Sequence, residues 1–546
     1  MSIRNGNEDS ASESLAHEPV PQKSDEQKAA TEKAVAQKAT AQKLAAQGLA
    51  QTVARRLAEL SGEFAVIGLG KSGRAAALLL RRAGVPVYAS DSSQSSLSDA
   101  ERSELKLAGV SVDTGSHDLE RIAGAAVVVV SPGVPPEAKA LAVAGNAGVP
   151  ITSEVEIALR LQPALRYVAV TGTNGKTTTT ALVGHLLRAL GHNAADAGNI
   201  GVPVASLALK EPQPDWAAIE LSSFQLHDTP GIAPDVGVLT NLTPDHLDRY
   251  ASVEEYYNDK RLLFLNAVTQ SHWVANADSE AVREMVHGVP GHCHWFSTDC
   301  RAGAPGRETA LRSDPSGSGP PHPITTRPVT THPDAWLDRD TGQLMVLNAP
   351  FVSLDDIKLT GDHNVANVLA AVLAVMVADP SHRTDAARKL LAEAVVNFHA
   401  LPNRLEPVAD SNGILWLNDS KATNVDSTRV ALKAMTRPTV LLLGGRHKGE
   451  PYTSLLPELR RTVRAVLAYG EATTQLAHDL AIPGSDAVIF EAMPNAEFRQ
   501  VVQRARELAV PGDVILLSPA CSSYDMFANY EERGRVFSQL AGENHG

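Results

Sequence analysis

The sequence predicts an α/β protein of three domains, each built on a largely parallel sheet. Three observations predict it. The chain has 546 residues, more than one hydrophobic core usually organises, so roughly three domains are expected. Strand-like and helical runs alternate along it, the pattern of parallel strands joined by crossover helices. Two glycine loops, in "EFAVIGLGKSG" (63–73) and "YVAVTGTNGKTTTTAL" (167–182), each follow a strand-like run and open a helical one. That is where backbone N–H groups collect at a helix start and attract anions.

Residues 1–60 come first. They are polar and irregular to residue 23, then rich in Ala, Gln, Lys and Glu. Such a segment favours helix but has few large apolar residues to bury, so a flexible or partly helical extension is expected. A first α/β domain is expected over 61–149, with strands in "VPVYASD" and "AAVVVVSPG". "VPITSEVEIALRL" (149–161) reads as a further strand-like run. A central domain is expected over 150–400, with strands in "YVAVT", "WAAIELSSF", "VGVLTNL" and "SHWVANAD". Residues 301–333, dense in Gly, Pro, Ser and Thr, read as a surface loop. "AWLDRDTGQLMVL" (335–347) reads as a hairpin turning at Asp-Thr-Gly. A third α/β domain is expected over 401–546, with strands in "GILWLND", "PTVLLLGG", "AVLAYG" and "GDVILLSP".

Composition narrows the function. At 43% hydrophobic and 20% charged the chain reads as an ordinary soluble protein. A net charge of −13 argues against a general nucleic-acid or membrane-surface binder. Three cysteines make no disulfide scaffold and fit a reducing compartment. "HCHWFSTDC" (292–300) mixes His and Cys, but its spacing matches no zinc template. The first residues carry no apolar signal region, and "AAVVVV" is too short to cross a bilayer. A cytoplasmic protein without a membrane span is expected.

Gly68-x-Gly70-x-x-Gly73 follows a strand, and Asp91 closes the next one. By themselves these suggest NAD and an oxidoreductase; the bland alternative is a turn that packs a helix onto a sheet. Ser131, Pro132 and Gly133 follow a later strand of the same unit. A nucleotide or its diphosphate is expected here, its identity open.

The second loop is an incomplete Walker motif: Gly172, Gly175, Lys176 and Thr177 match, while Val170 stands where a glycine is usual. Backbone N–H groups of 172–177 would cradle phosphates, Lys176 would neutralise the outer ones, and the Thr177 hydroxyl would ligate Mg²⁺. Glu220 ends a strand nearby and offers a carboxylate to the same ion. Asp245, His246 and Asp248 follow another strand. Spacing alone leaves Lys260 a solvated helix lysine.

"VTGTNGKTT", "GNIG" (198–201), "ELSSFQL", "NLTPDHLDRY", "YYNDKRLLF", "LTGDHNVANVLAA", "LPNRLE", "NDSKATN", "LLLGGRHKG" and "LLSPACSSYDMF" together resemble the Mur ligases. The resemblance runs from about Glu63 to near the C-terminus, leaving out the extension and the 301–333 loop. It implies a Rossmann-like UDP-binding domain, a central P-loop ATPase-like domain and a Rossmann-like C-terminal domain. "DSKATN" and the N-terminal "GLGKSG" point, within that family, to the branch that adds D-glutamate to UDP-N-acetylmuramoyl-L-alanine. A sister ligase that adds another amino acid is the alternative.

The resemblance implies ATP-dependent amide formation through an acyl phosphate, with two Mg²⁺ ions. Lys176, Thr177, Glu220, His246 and Lys260 become the catalytic set. Lys260 is implied to carry a carbamate from CO₂ and, with Thr177, Glu220 and His246, to serve the metals. ATP would meet Gly172, Thr173, Asn174, Gly175, Lys176, Thr177, Thr178, His363, Asn364, Asn367, Arg404 and Asp419. The UDP-linked substrate would meet Gly70, Lys71, Ser72, Asp91, Ser92, Ser131, Pro132, Gly133, Asn199 and His246. D-Glutamate would meet Lys421, Thr423, Lys448, Ser523 and Tyr524. Ser93, Tyr524 and Tyr530 depart from the family's Arg, Leu and Phe. A non-catalytic nucleotide-binding module would be expected to lose one of Lys176, Glu220, His246 or Lys421, and all are present. A monomer is expected, with the third domain closing over ATP held on the second.

Overall fold

A computed structural model describes residues 61–245, 249–299, 333–480 and 488–543, with 51, 55, 57 and 59 before them. The extension expected over 1–60 therefore lies almost wholly outside the described residues. So do His246, Asp248 and the 301–333 loop apart from residue 333.

The first sheet has five parallel strands: β1 (Phe64–Ile67), β2 (Val87–Asp91), β3 (Ser111–Thr114), β4 (Val127–Val130) and β5 (Ile151–Ser153). Their order is β3-β2-β1-β4-β5. All four residues of β1 and of β4 are buried, as uninterrupted apolar runs in a two-sided parallel sheet should be. Helix α1 (Lys71–Arg82) starts at the first glycine loop. The direction of strand order reverses between β1 and β4, so the crevice at their carboxyl ends is the natural ligand position. β5 pairs with β4, so the first sheet extends past the expected boundary at 149.

"VPITSEVEIALRL" is only briefly a strand. After β5 the chain enters α2 (Glu154–Leu161), because Ser153 caps it: its Oγ accepts the Glu156 N–H at 3.1 Å. The i, i+3 apolar spacing is then satisfied as a helix.

The central sheet has nine strands: β6 (Arg166–Thr171), β7 (Ala194–Gly198), β8 (Trp216–Glu220), β9 (Val236–Leu239), β10 (His272–Asn276), β11 (His292–Ser297), β12 (Ala335–Asp338), β13 (Gln343–Val346) and β14 (Ala349–Ser353). Their order is β14-β13-β12-β11-β10-β9-β6-β8-β7. β12, β13 and β14 pair antiparallel, and the expected hairpin is there. Two helices pack against this sheet: α3 (Lys176–Ala189), which opens at the second glycine loop, and α5 (Asp362–Ala378). Between them in sequence, α4 (Val253–Arg261) carries Lys260. α5 is apolar nearly all round and buries thirteen of its residues, as a helix inside a large core must.

The third sheet holds β15 (Glu406–Ser411), β16 (Ile414–Asn418), β17 (Thr439–Gly444), β18 (Val463–Tyr469), β19 (Ile489–Met493) and β20 (Val514–Leu517). The order is β15-β16-β20-β17-β18-β19, with β15 antiparallel at one edge. Helix α6 (Val425–Lys433) follows β16. In both larger sheets a strand with a neighbour on either side ends at the candidate site: β6 between β8 and β9, and β20 between β16 and β17.

Candidate functional site

The first glycine loop is held by its own sheet. Ser131 Oγ donates to the Gly68 carbonyl at 2.8 Å. A Cβ on Gly73 would lie 1.8 Å from that carbonyl, so the third glycine is what lets helix and loop meet. Both Asp91 oxygens accept main-chain N–H groups, from Leu69 at 2.7 Å and Ser93 at 2.8 Å. Asp91 thus fastens the loop itself. Gly70, Lys71, Ser92, Pro132 and Gly133 are exposed around this crevice, and Ser72 is half-buried.

In the second loop Gly175 stands at φ +79°, and a Cβ there would lie 2.3 Å from Asn367 Oδ1 on α5. Asn367 Oδ1 accepts from Thr179 Oγ1 at 3.2 Å, and Asn367 Nδ2 donates to Asn364 Oδ1 at 3.2 Å. The start of α5 is thereby fastened to the start of α3. The N–H groups of Thr173 and Asn174 donate to Asn241 O (3.0 Å) and Oδ1 (2.8 Å). The N–H groups from Gly175 to Thr178, which a helix start leaves without intrahelical acceptors, are the ones in position to meet an anion. Asn241 was not expected from the sequence as a support of this loop. Its signal was its place directly after the strand that flanks β6.

Two amines converge on one loop carbonyl. Lys176 Nζ donates to Gly172 O at 3.0 Å and Thr173 O at 2.7 Å; Lys260 Nζ donates to Gly172 O at 2.7 Å. Lys260 is 1% exposed and lies 4.7 Å from the Tyr256 ring centroid. It is therefore no solvated helix lysine. Burial, reinforced by the Lys176 charge, holds its ammonium well below the usual lysine range. Burial lowers Lys176 likewise, with Glu220 and Asp245 opposing.

Glu220, 1% exposed at the end of β8, accepts from Asn199 Nδ2 at 2.8 Å through Oε1. Its buried Oε2 has no hydrogen-bond partner. A buried carboxylate oxygen in that condition is costly unless a cation completes it, so the donor chemistry fits Mg²⁺. Among the described residues no group of three His, Cys, Asp or Glu side chains forms a metal cage. Mg²⁺ sites of one carboxylate, a hydroxyl and phosphate oxygens do not need one.

Beyond the loop, His363 is pushed down to about 4 by burial and the nearby Arg404 charge, so its imidazole is neutral. Asp419 Oδ2 accepts from Ser518 Oγ at 2.8 Å; burial pushes its carboxyl up to about 7. In the third domain Lys421 Nζ lies 3.9 Å from the Tyr530 ring centroid, and Lys448 Nζ donates to Thr423 Oγ1 at 3.4 Å. Burial lowers Lys421 to about 8. Ser523 is buried, but Tyr524 is 65% exposed.

The seam between the central and third domains is closed. Asn424 Nδ2 donates to Asp245 Oδ2 at 2.9 Å, and Asn174 Nδ2 to Asp426 Oδ2 at 2.7 Å. A small cavity in this seam is lined by Asp245, Asn424, His447, Lys448 and Glu450, among others. Arg533, fully buried, was also not anticipated. It donates to the main-chain carbonyls of Ser420, directly before Lys421, and Cys521, two residues before Ser523. Nothing in "YEERGRVF" distinguishes it from a surface arginine.

Three family models match: "Mur ligase MurD-like, N-terminal domain" over residues 62–153, "Mur ligase middle domain" over 170–375, and "Mur ligase, glutamate ligase domain" over 403–521. The chain is 36% identical over 491 residues to the UDP-N-acetylmuramoylalanine--D-glutamate ligase of Acidobacterium capsulatum, covering 89% of this chain and 98% of the relative. It is 38% identical over 490 residues to the same-named ligase of Anaeromyxobacter dehalogenans, with 89% and 98% covered. A pseudomurein peptide ligase type C from Methanothermus fervidus shares the fold at 19% identity and a TM-score of 0.54, over 88% of this chain and 99% of that one. Three consecutive family domains, in the order in which the three sheets are strung, place this chain in the Mur ligase family.

Proposed function

We propose that this protein joins D-glutamate to UDP-N-acetylmuramoyl-L-alanine with conversion of ATP to ADP and phosphate, a step of peptidoglycan precursor synthesis. The observation that carries the reading is the convergence of Lys176, Lys260 and the unpartnered Glu220 oxygen at a phosphate loop against which the third domain is closed.

The acceptor's L-alanyl carboxylate attacks the γ-phosphorus and ADP leaves. The D-glutamate amine then attacks the acyl carbon, loses a proton and expels phosphate. The first step brings two anions together, so cations must screen them. The N–H groups at the start of α3 hold phosphate oxygens, and Lys176 exchanges its loop carbonyls for them. Thr177 and Glu220 would hold one Mg²⁺ and His246 a second; when bound, these ions screen the reacting charges. Asn199 reaches the acceptor while orienting Glu220. His363, Asn364, Asn367, Arg404 and Asp419 surround the nucleoside. Gly70, Lys71, Ser72, Asp91, Ser92, Ser131, Pro132 and Gly133 form the UDP crevice.

Lys260 becomes a carbamate in this reading. Its burial favours the neutral amine, the form that adds to CO₂ and releases a proton. The product places an anion beside Lys176 where the neutral amine stood. Lys421 and Lys448 pair with the two carboxylates of D-glutamate, near Thr423 and Ser523. The third domain excludes water from the acyl phosphate. No helix among the described residues is long and apolar enough to cross a membrane, and a cytoplasmic monomer is our reading.

The test is ATP turnover with UDP-N-acetylmuramoyl-L-alanine against a panel of amino acids. D-Glutamate should be used at least tenfold better than any other, on the order of what a site with paired cationic contacts discriminates. Turnover with L-alanine in place of D-glutamate would overturn the proposal in favour of a sister ligase.

A further inference from the structure

Asn174 stands in the phosphate loop with its two halves engaged by two different domains. Its main chain belongs to the central domain: the N–H donates to Asn241 Oδ1, and the carbonyl accepts from Thr240 Oγ1 at 2.6 Å and Asn241 Nδ2 at 2.9 Å. Its side-chain amide belongs to the third. Nδ2 donates to Asp426 Oδ2 at 2.7 Å, and Oδ1 accepts from Ser427 Oγ at 2.7 Å. Donor and acceptor ends of one planar group are thus both matched by neighbours on the first turn of α6.

That turn is itself braced. Asn424, the N-cap of α6, accepts from Ser427 N at 2.8 Å and donates to Asp245 Oδ2 across the seam. Asp426 Oδ1 accepts from Arg429 Nε at 3.1 Å, while Oδ2 also accepts from Thr243 Oγ1 at 3.3 Å. Asp426 therefore joins α6, the loop after β9 and the phosphate loop through one carboxylate. Each partner on the central domain lies in a segment that touches or flanks the anion cradle.

We propose that Asp426 and Ser427 form a closure latch that reads Asn174, so that docking of the third domain sets the geometry of the phosphate loop. Asp426 is then a positioning residue for phosphoryl transfer. The device makes loop order depend on closure: without the third domain the Asn174 amide faces water and the loop is held only through its main chain. ATP placed on an open enzyme meets a looser cradle, which guards against hydrolysis before D-glutamate's lysines are in position. The reaction served rests on the ligase reading above; the coupling between loop and domain does not.

The experiment is a double-mutant cycle on the full-length enzyme with Asn174→Ala and Asp426→Ala, reading kcat and KM for ATP, and small-angle scattering with ATP analogue and acceptor. Each single variant should lower kcat about tenfold, the scale of losing a charge-assisted hydrogen bond, and the double variant should lose little more than either. Asp426→Asn, which keeps an acceptor for Asn174 Nδ2, should recover most of kcat. Asp426→Ala should also fail to compact on ligand binding as the parent does. Should Asp426→Ala not fold, Ser427→Ala replaces it in the cycle. Additive losses, or an Asp426→Ala enzyme with unchanged kcat and compaction, would refute the latch. A parent enzyme without D-glutamate-dependent turnover would instead refute the ligase reading, and the scattering arm would still judge the latch.

Discussion

Lys260 shows how far a single residue's meaning depends on what surrounds it. Its sequence context, "YYNDKRLLF", is that of an exposed helix lysine, yet the amine is buried beside a second one. As a carbamate it should be replaceable by an external carboxylate. Lys260→Ala should lose most turnover and regain a measurable part with millimolar short-chain carboxylic acids; a small loss without them sinks the carbamate. Lys421 offers a pH test. Its folded pKa of about 8 lies below the unfolded lysine value. Between the two values the unfolded chain binds more protons, so this group's unfavourable burial is relieved as pH rises. Binding has the opposite sign, because pairing with a carboxylate needs the cation. kcat/KM for D-glutamate should fall about tenfold per pH unit above 8 as the free enzyme loses that proton. Lys421→Arg should move this limb upward. A limb that stays put does not belong to Lys421.

At the scale of elements, the phosphate loop is built by contact between two helices distant in sequence. α3 begins where the loop ends, and α5 presses Asn367 against Gly175. Gly175→Ala meets two penalties: a left-handed backbone costing about 1–2 kcal/mol for a residue with a Cβ, and a clash with Asn367 Oδ1. Thermal unfolding should show a loss of at least that size, together with weakened ADP binding in titration calorimetry. An unshifted melting curve with full ADP affinity would mean that α5 yields to the methyl group. The same comparison explains which parts were readable in advance. The glycines, Lys176 and Thr177 announce themselves because loop, cation and hydroxyl are adjacent in sequence. Asn241 and Arg533 did not, because their partners lie on other elements and their own neighbours look ordinary. "VPITSEVEIALRL" reads as strand through its length in isolation, because Ser153's role as a cap shows only once β5 is placed against β4.

At the scale of the molecule, each sheet carries candidate loops at its carboxyl-terminal strand ends: the first glycine loop and residues 131–133 after β1 and β4, the second glycine loop after β6, and the lysine-bearing loops after β16 and β17. Closure is what unites the last two. Asn174, Thr243 and Asp245 on one side meet Asn424, Asp426 and Ser427 on the other through hydrogen bonds of 2.7 to 3.3 Å. The scattering arm of the latch experiment is therefore a measurement on the whole enzyme, since losing one carboxylate should loosen an entire domain.

The alternation of strands and helices, the two glycine loops and the ten short motifs were legible from residue order, because each depends on neighbours within a few positions. Local periodicity carries secondary structure, and contiguous motifs carry their own chemistry. The burial of Lys260, the unpartnered oxygen of Glu220 and the grip of α6 on Asn174 were not. They arise between residues tens to hundreds of positions apart, where desolvation and hydrogen-bond geometry exist only after the sheets have packed and the third domain has met the second.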